Sequence, residues 1–392
     1  MPKKILIAGA GIGGLTAAAS LIEAGHDVQI LEQAPELIEV GAGIQISANA
    51  MHVLNALGLG DAISALSVQP EAYVFRLHDT GEVISQFALA DEHLRLHRAP
   101  YHQLHRADFQ RLLVGKVNDL RQDAIRLGSR VTGFEETASE VRVRLASGET
   151  VRADLLIGAD GVKSAVRAQI AGAAHPTYTG DAAWRLTIPT TSLPRGFMEQ
   201  VMSVWMGPGA HVVCYFLRAG ALLNFVGLVE TAEVSEESWT ARFPWEKLKA
   251  DFAGWHPDIQ TIIGLADPNA CYRWSLFNRP PISNWSTRRA TLLGDSVHAT
   301  LPYLAQGAAM AIEDGALLTR TLAMAEVPDA LQIYQRNRIG RTTRIVEGSS
   351  ANRTLFHMSD QQALRRAFAK RDEGAARNAW LYSYNPLTAE IV

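Results

Sequence analysis

The sequence predicts an α/β protein: a Rossmann-like domain carrying an inserted, mainly antiparallel β-sheet domain, followed by a helical C-terminus. Three observations predict it. An apolar run at residues 5–8 leads at once into Gly9-Ala10-Gly11-Ile12-Gly13-Gly14 and then an Ala/Leu-rich stretch. Two later apolar runs end in Asp160-Gly161 and in Gly294-Asp295. Between those runs, residues 177–271 turn to a period-two alternation of apolar and polar positions.

Each element follows from its pattern. Residues 5–8 read as a buried parallel strand, because an all-apolar run needs cover on both faces. Residues 15–24 have helical composition and stop at Gly25, and residues 28–31 form a second strand ending at Glu32, which completes a βαβ unit. A helix is expected over 49–57, closed by Gly58. Tyr73, Phe75 and Leu77 alternate, turn at Asp79-Thr80-Gly81, and resume as Val83, Ser85 and Phe87, a hairpin. Residues 106–117 place Phe109, Leu112 and Leu113 on one helical face. Val141, Val143 and Leu145 alternate before a turn at Ser147-Gly148 and the strand 155–157. Alternating runs at 184–186, 204–206, 211–217 and 222–229 build the sheet domain. The strand 290–293 returns to the first domain, 307–324 is helical, and the chain is mainly helical from Leu331. The expected partition is 1–72, 97–175 and 272–345 for the first domain, 73–96 and 176–271 for the sheet domain, and 346–392 for the C-terminal segment.

Of 392 residues, 47% are hydrophobic and 20% charged, the profile of a globular chain with a large core. Lys and Arg total 37 against 40 Asp and Glu, a net charge of −3. That balance argues against nucleic acid or an anionic membrane as a partner. Two cysteines, Cys214 and Cys271, are too few for a disulfide framework, and no metal site is expected; a reducing, cytoplasmic setting fits. Residues 5–22 carry no charge and imitate a membrane span by length, but their four glycines favour strand, turn and helix.

The glycines at 9, 11 and 14 fit G-x-G-x-x-G. The first permits a tight turn, the second lets backbone approach a pyrophosphate, and the third allows close helix–strand packing. The helix N-terminus adds N–H donors and the positive dipole end. Glu32 stands 18 residues past Gly14, where a carboxylate accepts from ribose hydroxyls; a merely structural turn would leave it unexplained. A dinucleotide site is therefore expected. The Asp-Gly run is followed by Ser164 and Arg167, and the Gly-Asp run by His298, Pro302 and Gln306-Gly307-Ala308.

Together these segments, from residue 4 to about 345, resemble the group A, single-component FAD-dependent aromatic hydroxylases, which include salicylate hydroxylase, 3-hydroxybenzoate 6-hydroxylase and 6-hydroxynicotinate 3-monooxygenase. The resemblance implies the fold of para-hydroxybenzoate hydroxylase and an NAD(P)H- and O₂-dependent hydroxylation through a flavin C4a-hydroperoxide. It implies FAD contacts from Gly9, Gly11, Gly13, Gly14, Glu32, Gln33, Arg106, Val131, Asp160, Asp295, Gly307 and Ala308. Gly41-Ala42-Gly43-Ile44-Gln45-Ile46 matches the family's loop near the flavin, and Pro302 with Gln306-Gly307-Ala308 matches its turn and helix start beside the isoalloxazine; Gln45, Tyr303 and Gln306, with Arg185 of Trp184-Arg185-Leu186, become substrate-site candidates. Arg185 would hold a substrate carboxylate or a carbonyl of the first domain. NADH or NADPH is expected as a transient co-substrate without a Rossmann motif of its own. A homodimer stays open. The chain departs from the family's common pattern at Ala299 after His298 and at Ser47-Ala48-Asn49.

The strand 210–215 carries the catalytic candidates. Residues two apart share a strand face, so His211 and Tyr215 point the same way. A phenol with pKa near ~10 needs a base at neutral pH, and an imidazole near its ordinary pKa of ~6.5 suits that task. The resemblance points to the same two residues, with a hydroxylated aromatic or heteroaromatic acid as substrate. An FAD monooxygenase of a non-phenolic substrate such as a purine, and a non-catalytic binding protein of the same fold, are the alternatives. His298 and Cys214 read as structural, Trp380, Tyr382 and Tyr384 as packing or a subunit contact, and Arg365, Arg366, Lys370 and Arg371 as a solvated helix face.

Overall fold

A computed structural model describes residues 1–37, 43–173, 176–234, 242–371 and 378–392, with the side chain of Arg371 excepted. Gly41 and Ala42 of the loop motif lie outside the described residues. The first domain is built on a five-stranded parallel sheet in the order Ala290–Leu292, Leu155–Gly158, Lys4–Ala8, Asp27–Leu31, Ile125–Arg126. Its central strands are apolar throughout because helices cover both faces: Ile5, Leu6, Ile7, Leu155, Leu156 and Ile157 are all fully buried.

The first helix spans Ile12–Glu23, starting three residues before the expected position. The glycines account for the difference. They sit inside the first helical turn, pressed against the strands. A Cβ on Gly13 would come within 2.8 Å of Leu293, and one on Gly14 would overlap the carbonyl of Gly9. This helix packs on the helices Arg106–Leu120 and Gly307–Met324. The residues 5–22 thus form strand, turn and helix. Among the described residues no helix is long and apolar enough to cross a membrane.

The second sheet has seven strands, in the order Tyr272–Asn278, Thr177–Pro189, Leu222–Glu230, Ala210–Leu217, Met202–Gly207, Ala72–Leu77, Val83–Ala88. All neighbours are antiparallel except Met202–Gly207 beside Ala72–Leu77. The strand Tyr272–Asn278, expected beyond the sheet segment, is its edge. Period two divides the sheet's faces. Ala210, Val212 and Cys214 pack with Trp184, Phe225 and Phe252 under the helix Pro257–Gly264. The intervening Val213, Tyr215 and Leu217 face the other way, with Leu228, Tyr303 and Phe356. A three-stranded antiparallel sheet (Val131–Glu136, Val141–Leu145, Thr150–Ala153) and the pair Gly43–Ile46 with His102–His105 complete the strands.

The C-terminal helix Val327–Phe356 runs unbroken through residue 345, where a segment boundary was expected, and is followed by Gln361–Arg371 and Ala379–Tyr382. Trp380 and Tyr384 pack on the guanidinium groups of Arg344 and Arg341, and Tyr382 on His93 and Tyr101, so all three make contacts within the chain. Arg365 pairs with Glu82 of the hairpin strand end.

A buried ionic cluster joins these parts. Glu313 and Asp314, adjacent in the helix Gly307–Met324 and fully buried, both pair with the fully buried Arg338 of the long helix at 2.7 Å. Glu313 also pairs with Arg341 and accepts from Asn49 at 2.6 Å. Asp314 contacts His298 at 2.6 Å and accepts the Gly294 N–H at 2.9 Å. Burial raises the Asp314 carboxyl pKa, but His298 and Arg338 outweigh it and hold the group at about 2. Its stabilising charge is therefore complete above an ordinary carboxyl pKa of ~3.9 and is lost only as pH falls toward 2. Removing one partner of such a cluster strands the other charges without water. Arg338→Ala is expected to destabilise the fold by about 3–5 kcal/mol in urea unfolding, and a loss below about 1 kcal/mol would show that the cluster is not ionic support.

Candidate active site

The two sheets meet at a cavity of about 320 Å³. Its first wall is the glycine turn. Gly9 has φ +103°, and a Cβ there would sit 2.5 Å from the Ala159 carbonyl oxygen. Gly11 has nothing within 4 Å of the place its Cβ would occupy, so backbone there lies open to the cavity. Gly11, Gly13 and Gly14 line the cavity with Ala159, Gly161, Gly294, Asp295, Gly307 and Ala308. Asp295 is exposed into it at the start of the short helix Asp295–His298. Arg106 lines it too; burial lowers its pKa and the nearby Asp295 carboxylate opposes that shift.

Glu32 holds the turn from behind. Its carboxylate accepts the N–H of Ala10 at 2.7 Å and of Ala34 at 2.8 Å. Asp160 caps the helix Ala165–Ala171, accepting from Ser164 Oγ at 2.5 Å and the Ala165 N–H at 2.8 Å. Arg167 donates to the carbonyls of Ser296 and Val297 at 3.2 and 3.1 Å, which ties the Asp-Gly strand end to the Gly-Asp one. Gln33 is exposed beside Glu32, and Val131 is buried at the start of its strand; like Glu32 and Asp160, they are not among the residues that line the cavity, and both Glu32 oxygens, expected at a ribose, accept backbone N–H groups.

The opposite wall is the seven-stranded sheet. His211, Val213 and Tyr215 line the cavity from one strand, Arg185, Val226 and Leu228 from neighbouring strands, and Tyr303 and Phe356 from below. The shared face of His211 and Tyr215 is as expected from their spacing. The ordinary imidazole pKa is not. His211 is 1% exposed, and burial, then its neighbour His357, push its pKa well below 6.5. It is a neutral imidazole, with Nδ1 at 2.9 Å from His357 Nε2. Burial pushes the Tyr215 phenol up to about 12 against the opposing pull of Arg185 and a hydrogen bond with Gln45, so it stays protonated. Burial lowers the Arg185 guanidinium to about 10, still a cation at neutral pH, stacked 4.7 Å from the Trp274 ring.

Two substrate-site candidates prove to be tied elsewhere. Gln306 is 2% exposed and its amide is spent on the first domain, accepting from Asn49 and donating to Ser47 at 3.0 Å. It braces the helix start and is not among the residues that line the cavity. Tyr303 does line the cavity, but its hydroxyl donates to Asp181 at 2.9 Å, so only its ring is presented. His298 is structural, as read, and Cys214 is a buried core thiol.

Several residues were missed. Tyr101 donates to Gln45 at 2.5 Å, and Asn224 accepts the Gly43 N–H at 3.0 Å. Gly43 itself is required by contact: a Cβ there would lie 2.5 Å from the Tyr215 ring. The buried Glu313-Asp314 pair left a signal, two adjacent acids within the apolar run 307–318. His357, Glu230 and Asp181 left none, since they meet only in three dimensions.

A family model described as FAD binding domain matches residues 3–349. The 3-amino-4-hydroxybenzoate 2-monooxygenase of Streptomyces platensis is 34% identical over 385 residues, covering 97% of this chain and 96% of the relative. The 3-hydroxybenzoate 6-hydroxylase of Polaromonas naphthalenivorans is 34% identical, with 97% and 96% covered. The chain belongs to the FAD-dependent aromatic monooxygenases. Among solved structures, Klebsiella pneumoniae HpxO complexed with FAD and uric acid superposes with a TM-score of 0.83 at 29% identity, covering 95% of this chain and 94% of that one.

The cavity fits FAD on its own geometry: an open glycine backbone at Gly11, the positive end of the helix Ile12–Glu23, and a carboxylate and a guanidinium facing inward from Asp295 and Arg106. Glu32→Ala removes the acceptor that fixes the Ala10 N–H, and Asp295→Ala removes an inward acceptor. Each is expected to weaken FAD retention about tenfold, measured as flavin absorbance kept through dialysis, with far-ultraviolet circular dichroism unchanged. Full retention in both variants would contradict the assigned roles.

Proposed function

We propose that this protein hydroxylates a hydroxylated aromatic or heteroaromatic acid at the cavity between the two sheets, with His211 as the base that ionises the ring. FAD, when bound, supplies the redox chemistry: it takes reducing equivalents from NADH or NADPH and activates O₂ for transfer of one oxygen atom. The observation that supports the reading most is His211 and Tyr215 side by side on one strand face of the cavity wall, opposite the glycine turn and on the same wall as Arg185.

The division of labour follows from charge. A ring hydroxyl with pKa near ~10 must lose its proton to become nucleophilic enough at neutral pH. His211 keeps its lone pair because burial disfavours its cation. Tyr215, protonated, donates a hydrogen bond that holds the ring oxygen in place. Arg185 is a buried cation on the same wall and favours an anionic ligand, since a charge in a low-dielectric cavity interacts more strongly than in water. Val213, Val226, Leu228, Tyr303 and Phe356 give the ring an apolar bed and exclude water from the reacting face. The two free, buried thiols, Cys214 and Cys271, support a reducing, cytoplasmic setting.

NADH or NADPH oxidation with hydroxybenzoates, hydroxypyridines and uric acid, with product analysis, tests the substrate class. Product from a hydroxybenzoate or hydroxypyridine is expected; product from uric acid alone would transfer the protein to the purine reading. His211→Ala is expected to keep FAD and to lose hydroxylation about 100- to 10,000-fold, with hydrogen peroxide released in place of product. Raising pH from 7 to 9.5 should partly restore product per NAD(P)H consumed, because solvent then ionises the ring. Full coupling of the variant at pH 7 would remove the base assignment.

A further inference from the structure

A proton accepted by His211 has no stable resting place there. The imidazolium would lie in a cavity wall 1% exposed to solvent, and burial is the main cause that holds its pKa down. Behind His211, on the side away from the cavity, stands a chain of polar side chains that the reaction as described does not use.

His211 Nδ1 lies 2.9 Å from His357 Nε2, and His357 Nδ1 lies 2.9 Å from Glu230 Oε1. His357 is 7% exposed, whereas the Glu230 side chain is 45% exposed. The chain thus starts at the cavity and ends in water. Its geometry is fixed by the backbone: the Gly209 N–H donates to the His357 carbonyl at 3.0 Å, and the Glu230 N–H to the Gly209 carbonyl at 2.8 Å. Three elements are clamped together in this way: the turn before His211, the end of the strand Leu222–Glu230, and the residue after the helix Val327–Phe356.

The bonding order sets both tautomers. An ionised carboxylate only accepts, so His357 carries its proton on Nδ1 and presents a lone pair at Nε2. His211 must then carry its proton on Nδ1, which leaves Nε2 as the accepting nitrogen for the cavity. The remaining charged groups at this end are balanced. Asp181, fully buried, binds Arg353 at 2.6 and 2.8 Å and accepts from Tyr303, and Arg353 also reaches Glu230 at 3.4 Å. Asp181, Glu230 and His357 approach one another closely enough to suggest a cation site, but the Arg353 guanidinium already supplies that charge.

We propose that His357 and Glu230 form the proton path between His211 and solvent. The inference rests on the reading of His211 as the base. The ring hydroxyl proton passes to His211 Nε2, the Nδ1 proton of His211 to His357 Nε2, and the Nδ1 proton of His357 to Glu230 Oε1, which yields it to water. Each imidazole gains one proton and loses one, no electrons change owner, and the net change is a ring anion in the cavity and a proton in water. The same path run inward restores both tautomers when the product is reprotonated. His357 and Glu230 act through His211 and do not touch the substrate.

The test uses FAD-loaded protein mixed rapidly with 3-hydroxybenzoate, or with the most active ring of the substrate panel, in weak buffer with a pH indicator. Ring ultraviolet absorbance reports the anion and the indicator reports the released proton. His357→Gln keeps bulk and a hydrogen bond but cannot exchange protons between its two ends. It is expected to slow proton release about 100-fold while FAD content and probe affinity stay within about threefold of wild type. Added imidazole should speed His357→Ala, which a purely structural role for His357 does not predict. Glu230→Gln should slow release about tenfold, and Glu230→Asp should recover part of it. Wild-type release rates in His357→Gln, alongside loss in His211→Gln, would overturn the path and leave the base assignment standing. Wild-type rates in His211→Gln would overturn both.

Discussion

The structure depends on two fully buried acids placed side by side in a helix. Glu313 and Asp314 point to different neighbours from one turn of the helix Gly307–Met324, and Arg338 of the long C-terminal helix sits between them. Through Asn49, Gln306 and Ser47 the first acid fixes the loop that enters the helix Ala48–Ala56. Through His298 and the Gly294 N–H the second fixes the turn that presents Asp295. An apolar helix could fill the same space at lower desolvation cost, since buried ion pairs rarely out-stabilise well-packed hydrophobic residues. What the charges add is direction: each acid selects its partners by hydrogen-bond geometry, and those partners are the segments that wall the cofactor side of the cavity.

The other wall owes its precision to a different constraint, the two-residue period of a strand. One face of Ala210–Leu217 disappears into a core of Trp184, Phe225 and Phe252, which fixes the register and leaves His211, Val213 and Tyr215 facing the cavity. A slip of one residue would bury the imidazole in that core and expose Val212 and Cys214. The hairpin partner strand contributes Asn224, whose amide oxygen holds the Gly43 N–H, so the loop of the first domain is pinned to the sheet that carries His211. The two walls are therefore coupled at the residue where Gly43 lies against the Tyr215 ring.

Much of this was legible in the sequence because it is local. The glycine turn, Glu32, the two strand ends at Asp160 and Asp295, the helix Gly307–Met324 and the shared face of His211 and Tyr215 all follow from spacing within one or two elements. The start of the first helix was misplaced because glycine's poor helix propensity was read as a loop signal, whereas here close packing demands glycine inside the helix. Gln306 belongs to a segment that matches the family's turn beside the flavin, but side-chain direction at a helix start is set by tertiary partners, here Asn49 and Ser47. The low pKa of His211 and the chain through His357 to Glu230 could not be read at all. They arise from residues 211, 230 and 357, brought together by the sheet order and the end of a long helix.

The proposed function requires an aromatic acid between these two walls with its hydroxyl on His211. A crystal structure of the protein with FAD and its preferred hydroxylated ring tests it most directly. The expected result places the ring hydroxyl within about 2.6–3.2 Å of His211 Nε2, the reach required of a general base, with the ring carboxylate toward Arg185. A ring bound with its hydroxyl turned away from the strand Ala210–Leu217, and His211 still bonded only to His357, would contradict it.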